Sequence, residues 1–550
     1  MKKIIFSCIL LLSAGLLPAE DLFRDKLPDN MYFKAMKKEM DRSVKRLRLK
    51  DSPNPYYMAY KVSKVHTLLS VEGSMGALYA PSFPTTNLQA WVLVSVGNDT
   101  QDSLSMEGFK PISASYVSDS YDGLRQDLWT LTDLAYKDAL DAYKQKQTYY
   151  RQKQITDRLP DVVPAPQGRW AGPILQATSF EEDLPVYEDW VRAISAQGNK
   201  YPYIEDFNVQ IDIRQKDIYY LNSRGGFYQY AVPYSVVWMQ VRFRTKDGIR
   251  KKDSELLRLK GIPDNLADLI AQKAVDLLVR VQQTHEANQA EAYVGPVLLR
   301  PQAAAELIDR LFVKEMNNQT PLLSTTHDLD ESAGSFANRL GRRVMSNVVD
   351  VYDDPTLMDW NDTYLLDGFS PIDDEGVEAQ PLTLVSDGVL QEIARSTRPL
   401  KKGTKSNGHA RADRRTFPRE QLSNVIVATK TPLSQEELTD KLLARCRELE
   451  MEYCYLIDVL PMGGNTGSYT SILRIYTKDG SVEPVNGLEI QGLTGRALRD
   501  ILAAGDDVQV FPSYESSAPA SIVVPSLLLE ELELTPLDLK PDRQPFLKRP

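Results

Sequence analysis

The first half of the chain alternates apolar and polar positions. Between residues 56 and 97, runs such as Val62-Ser63-Lys64-Val65 and Trp91-Val92-Leu93-Val94 predict strands at period two. Upstream, residues 20–50 are strongly charged and read as a leading helix. The period changes near residue 123. From there to residue 154 a long helix is predicted, with Leu124, Leu128, Leu131, Ala135, Ala139 and Ala142 on one stripe. Its polar end, 143–153, is expected to project from the body. Pro160, Pro164, Pro166 and Pro173 mark a connecting loop. A helix is predicted at 187–197, then strands at 209–214, 218–221, 227–230 and 236–243. Ser223-Arg224-Gly225-Gly226 and Lys246-Asp247-Gly248 supply turns. A helix at 266–281 closes this half, and the boundary falls near 286–292.

Beyond that boundary the pattern is mostly strand. Tyr293 to Arg300 runs into a helix over 302–316 that Pro301 opens. Ala304, Leu307, Ile308, Leu311 and Phe312 give this helix an apolar face, and Glu306 and Arg310 stand one turn apart and can pair. Asp387-Gly388 and Asp479-Gly480 sit between apolar runs as hairpin turns. Helices are expected at 435–448 and 494–503, a flexible loop at 462–467, and a disordered tail at 536–550. The sum is an α+β protein with two domains, a mixed one over 20–290 and a strand-rich one over 291–535.

Composition narrows the function classes. A chain of 550 residues exceeds one ordinary core, and 42% hydrophobic with 25% charged residues is the balance of a globular protein. A net charge of -10 argues against general nucleic-acid binding, which needs basic patches. Lys2-Lys3, the apolar stretch from Ile4 to Leu17 and the small Ala19 form a secretory signal over 1–19, so an exported, periplasmic or otherwise extracytoplasmic protein is expected. After that cut only Cys446 and Cys454 remain. Two buried thiols or one disulfide both fit, and two cysteines make no disulfide framework.

Few residues offer chemistry. The four histidines, His66, His285, His327 and His409, are scattered. His285-Glu286 has no second histidine at zinc-peptidase spacing. The acidic stretch at 327–331 lacks the rhythm of a calcium loop. Asp353-Asp354 and Asp373-Asp374-Glu375 are paired carboxylates that read as turns of a scaffold or as substrate contacts. The stretch 395–419 is basic in an acidic protein; it reads as a solvated loop or as a surface for peptide carboxylates or an acidic partner.

Several segments together resemble the TldD/PmbA family of metallopeptidases. They are Val351-Tyr352-Asp353-Asp354-Pro355-Thr356-Leu357, Ile372-Asp373-Asp374-Glu375-Gly376-Val377, Leu384-Val385-Ser386-Asp387-Gly388-Val389-Leu390, Ser406-Asn407-Gly408-His409-Ala410-Arg411 and Val524-Pro525-Ser526-Leu527-Leu528-Leu529. The likeness runs over roughly 290–535 and is looser upstream, through Trp129 to Lys137. It implies the family's fold, and a zinc held by His-Glu-x-x-x-His on the helix plus a cysteine near the C-terminus, with the Glu as general base. Counted from Pro301, those positions hold Asp309, Arg310 and Lys314, and 513–520 contains no cysteine. Arg and Lys cannot ligate a dication and repel it. The resemblance therefore implies no metal or other cofactor and no assignable catalytic residue in this chain, with zinc only in a catalytic paralogue. It implies a homodimer, or a heterodimer with a zinc-bearing TldD-like paralogue, that encloses and holds unfolded peptide. It also places Asn407, Gly408 and His409 near the peptide channel; with Lys401, Lys402 and Arg411 they are the candidate peptide or partner contacts. Two other readings stay open: an active metallopeptidase with non-standard ligands, and a stand-alone envelope protein that binds peptide or acts as a scaffold.

Overall fold

The computed structural model describes residues 26–79, 84–176, 179–324, 335–460 and 471–537. The expected leader at 1–19, the acidic cluster at 327–331, the loop at 462–467 and the tail from 538 lie outside them.

One twisted sheet organises the N-terminal half. Its body is five long antiparallel strands, in spatial order Thr85–Val96, Pro55–Ser74, Ile204–Asn222, Phe227–Arg244 and Arg250–Lys260. The alternation of side chains gives this sheet two buried faces. One carries Tyr60, Val62, Val92, Val209, Ile211 and Met239, in two apolar clusters of this half of the chain. Helices Met31–Arg46, Tyr121–Gln152, Leu184–Ser195 and Leu266–Glu286 supply their other members, among them Met36, Leu128, Val191 and Ile270. The other carries Ala59, Trp91, Tyr220, Tyr228 and Tyr230 and packs on Leu365, Ile372, Ala412 and Phe417 of the C-terminal half. The halves also share the sheet itself, because Tyr364 of the strand Tyr364–Leu365 pairs with Leu259.

The expected strands at 209–214 and 218–221 are one strand of 19 residues, and those at 227–230 and 236–243 are one of 18. Polar Gln215, Lys216 and Asp217 interrupt the apolar pattern, but the ladder runs through them, opposite Pro233, Val232 and Ala231. The charged strand Arg250–Lys260 escapes a hydrophobic reading altogether. The polar end of the long helix does not project. Lys146 and Tyr149 are buried there, the lysine because two carboxylates, Asp102 and Asp161, receive it. The helix expected at 494–503 shrinks to Arg496–Arg499, and Ile501–Ala504 instead pairs as a strand with Leu527–Pro536.

In the C-terminal half two sheets clasp one helix. Tyr293–Leu299 lies between Leu527–Pro536 and Tyr453–Val459 in an eight-stranded sheet. A six-stranded sheet contains Val349–Asp353, Leu382–Ser386, Asn424–Thr429 and Ser521–Val524. The helix opened by Pro301 shares a single core with Leu299, Val351 and Ile522, drawn from both sheets. It is thus buried on nearly every side rather than on one face: Ala303, Ala304 and Ala305 are small enough to let both sheets close on it, and Leu311 is only partly covered. The Asp387-Gly388 turn forms as expected, with φ of 50° and 77° at its two central residues, the paired positive values a two-residue hairpin needs. Cys446 and Cys454 are buried free thiols.

Candidate functional site

The helix after Pro301 changes character where the resemblance places zinc ligands. It is α-helical over Pro301–Ile308, makes a π turn over Asp309–Val313, and resumes over Lys314–Met316. The Lys314 amide donates to the Asp309 carbonyl, the five-residue bond of that turn. In a regular α-helix, at about 100° per residue, positions 309 and 314 would point about 140° apart. The wider turn brings them onto one side, and both reach the same loop. Ser513 Oγ donates to Asp309 Oδ1 at 2.6 Å, and the amides of Tyr514 and Glu515 donate to Oδ2 at 2.7 and 3.2 Å. Lys314 Nζ lies 3.9 Å from Glu515 Oε2. π turns are rare and concentrate at functional sites. A ligand pair spaced five apart needs such a turn, and here the turn stands without the ligands.

Zinc does not fit this arrangement. Asp309 is 1% exposed and its oxygens already accept three hydrogen bonds. Arg310 turns back onto Glu306, and Lys314 is 61% exposed with its charge toward Glu515. Ser513 stands in the stretch where the resemblance implies a thiolate and offers a hydroxyl. Burial pushes the Asp309 carboxyl above its usual range against the pull of those donors. Burial likewise pushes Glu306 up to about 7, opposed by Arg310 and reinforced by Asp309 and Glu515. Among the described residues no group of three or more His, Cys, Asp or Glu is placed to hold a metal ion.

The candidate contacts of the basic stretch divide. Lys401 and Lys402 are exposed. Asn407, Gly408, His409 and Arg411 are buried and knit the scaffold, so Arg411 is no solvated loop charge. The Asn407 amide bridges the Arg395 N–H and the Ile393 carbonyl. Gly408 has φ +78°, and a Cβ there would meet the Glu378 carbonyl oxygen at 2.3 Å. His409 is fully buried with Nε2 3.0 Å from Asp353 Oδ2. The paired carboxylates take up backbone donors. Asp373 accepts the amides of Glu375, Val377 and Ala410, and Asp353 accepts that of Ser423. Asp373 thus stabilises its own turn, Asp353 ends the strand Val349–Asp353, and Asp374 pairs with Lys61 in the wall of a cleft.

A seam of ion pairs, absent from the sequence reading, joins the halves. Arg398 donates to Asp102 Oδ2 and to Ser105 Oγ, both at 2.9 Å, while Lys146 reaches Asp102 Oδ1 at 3.1 Å and Asp161 Oδ2 at 2.8 Å. Burial of Asp102 works against its charge, but Arg398 and Lys146 overcome it and hold the carboxyl down to about 2.

Between the sheet and the C-terminal half lies a cleft of about 370 Å³. Trp91, Tyr228, Tyr230, Tyr234 and Phe369 wall it, and Lys61, Lys216, Arg258 and Arg411 bring cations to it. Strand alternation sets this out, because Lys216, Ile218 and Tyr220 share the face that carries Tyr228 and Tyr230. Lys216 was hidden by being read as a break between strands; its even spacing from Ile218 and Tyr220 was the available signal. Tyr514, bonded to Asp309 through its amide, has a phenol that feels Arg258 and Asp367 of this cleft, so the cleft and the altered helix turn are neighbours.

Comparison with known proteins agrees with the fold. Residues 292–536 match the profile of the PmbA/TldA metallopeptidase C-terminal domain. A metalloprotease of Archaeoglobus fulgidus is 28% identical over 191 residues, which span 34% of this chain and 40% of that protein's length. TldE from Thermococcus kodakarensis superposes with a TM-score of 0.60 at 14% identity, covering 91% of this chain and all of the other. A Thermotoga maritima protein described as a proposed modulator of a DNA gyrase gives a TM-score of 0.60 at 14% identity, over 92% of this chain and all of that one. At such identity these structures share the fold with this chain.

Proposed function

We propose, from the match of residues 292–536 to the PmbA/TldA metallopeptidase C-terminal domain, that the protein is a TldD/PmbA-type chain acting as an exported, zinc-less subunit of a peptidase assembly that encloses and holds extended or unfolded peptide. The observation that supports this reading most is the π turn at Asp309–Val313. The backbone shape suited to a metal-ligand pair is kept, while Asp309, Arg310 and Lys314 spend their polar groups on Ser513, Glu306 and Glu515. A chain of this kind contributes walls and peptide contacts, and a zinc-bearing TldD-like partner contributes the hydrolytic centre. Extended peptide suits recognition by strand addition, in which backbone hydrogen bonds give affinity without strong sequence preference. The net charge of -10 speaks against nucleic acid as the ligand.

Mixing the purified chain with a zinc-bearing relative from the same host tests the subunit role. Light scattering should report a defined complex, and cleavage of an unfolded peptide should exceed that of the relative alone. A chain that stays monomeric at micromolar concentration beside the relative contradicts the role. N-terminal sequencing from the host should find the mature protein starting at Glu20; an intact Met1 on cytoplasmic protein contradicts export.

A further inference from the structure

Five cations line the cleft, and among the described residues Lys216 and Arg411 are the two less exposed ones that form no ion pair with a carboxylate, while the exposed Arg414 bonds to Ser115 Oγ. Lys61 pairs with Asp374 at 2.5 Å and Arg258 with Asp367 at 2.8 Å, so those charges are balanced inside the wall. Arg411 is 7% exposed, and its guanidinium bonds are to neutral acceptors, the Gly368 carbonyl and Ser423 Oγ, each at 2.7 Å. The Lys216 ammonium carries no hydrogen bond or ion pair among the described residues. It is enclosed by protein yet partly accessible, because it faces the cleft. Burial, then the neighbouring Lys61, push its ammonium down to about 8, with Arg258 and Arg411 pulling the same way and Asp367 opposing them. A buried ammonium held beside other cations without a counter-ion is costly, and in a solvent-accessible cleft that cost is relieved by a bound anion. Aromatic walls on the same cleft suit an apolar group attached to that anion.

We propose that this cleft is a carboxylate site, in which Lys216 and Arg411 receive the free C-terminal carboxylate of an extended peptide while the tyrosine wall takes its last side chain. The proposal rests on the peptide-holding reading and adds polarity to it: one end of the peptide is fixed at the cleft. Asp367 and Asp374, already in the wall, favour a single negative charge over a dianion.

Isothermal titration of the full chain separates the possibilities. The probes are N-acetyl-Ala-Ala-Phe with a free carboxylate, the same peptide as its amide, and N-acetyl-Ala-Glu-Phe amide, whose only carboxylate is on a side chain. The free acid should bind at least tenfold more tightly than either amide. Lys216→Met should remove most of that preference while leaving amide binding and the thermal midpoint near those of the wild type, and Lys216→Arg should restore part of it. Equal binding of acid and amide overturns the carboxylate site and leaves peptide holding intact. Failure of all three peptides to bind overturns the peptide-holding reading as well. Tight binding of the glutamyl amide overturns the assignment to the C-terminus.

Discussion

At the turn around Asp309 a buried carboxylate meets three donors from one loop, and the neighbouring Arg310 has its own acid. At the cleft around Lys216, some of the same loop's neighbours enclose an ammonium with no acid of its own. Both places bury charge, but only the first closes on itself. A closed polar cluster is worth stability and offers a ligand little; an open one costs stability and gains it back when something binds. On the proposed reading, the contrast puts the ligand at the cleft rather than at the helix where the family resemblance directs attention first.

The largest effect is expected at the seam that joins the halves. Asp102→Ala leaves Lys146 and Arg398 buried without their shared carboxylate, and breaking a buried pair this way costs about 3–5 kcal/mol. Urea unfolding should register it, and a loss below about 1 kcal/mol would show the seam to be dispensable. At the closed turn, Asp309→Ala strands Ser513 and two backbone amides, for a loss of roughly 2–3 kcal/mol in the same assay.

The closed turn also predicts a pH response. Glu306 titrates at about 7 in the folded protein, above its unfolded value of about 4.5, so the folded state binds the extra proton between the two. Its contribution is therefore fully present below about pH 4.5, declines as pH rises through about 7, and is flat above, a change on the order of 3 kcal/mol. Glu306→Gln should remove that slope. Thermal midpoints of both proteins from pH 4.5 to 7.5 give the difference, and parallel curves would contradict the assignment. At the open cleft the expectation is reversed: Lys216→Met should not lower stability by as much as about 1 kcal/mol, because it removes an unpaired charge and no bond. A larger loss would place a hidden partner on Lys216 and collapse the comparison.

Much of the scaffold was legible in sequence, and the reasons are local. Period two found the long N-terminal sheet, Asp387-Gly388 found a hairpin of the six-stranded sheet, and the helix expected at 435–448 forms over Gln435–Glu448. What escaped was polar residue burial that only distant partners explain. Lys146 looked like the exposed end of a helix because Asp102 and Asp161 are remote in sequence. Lys216 looked like a gap between strands because its strand buries polar residues against the other half. The resemblance pointed to positions 309, 310 and 314 as altered, but not to the loop at Ser513 that completes them, nor to the π turn, which propensity does not report. Among the candidate contacts, the burial of Asn407, Gly408 and His409 was not legible, since tight backbone approach and paired burial are invisible in a basic, glycine-bearing stretch.

Fluorescence anisotropy of a labelled unfolded peptide against the chelator-treated chain tests the central claim most directly. The account predicts saturable binding that is unchanged by adding stoichiometric zinc, with the peptide recovered intact. Binding or cleavage that appears only after zinc is supplied would contradict it.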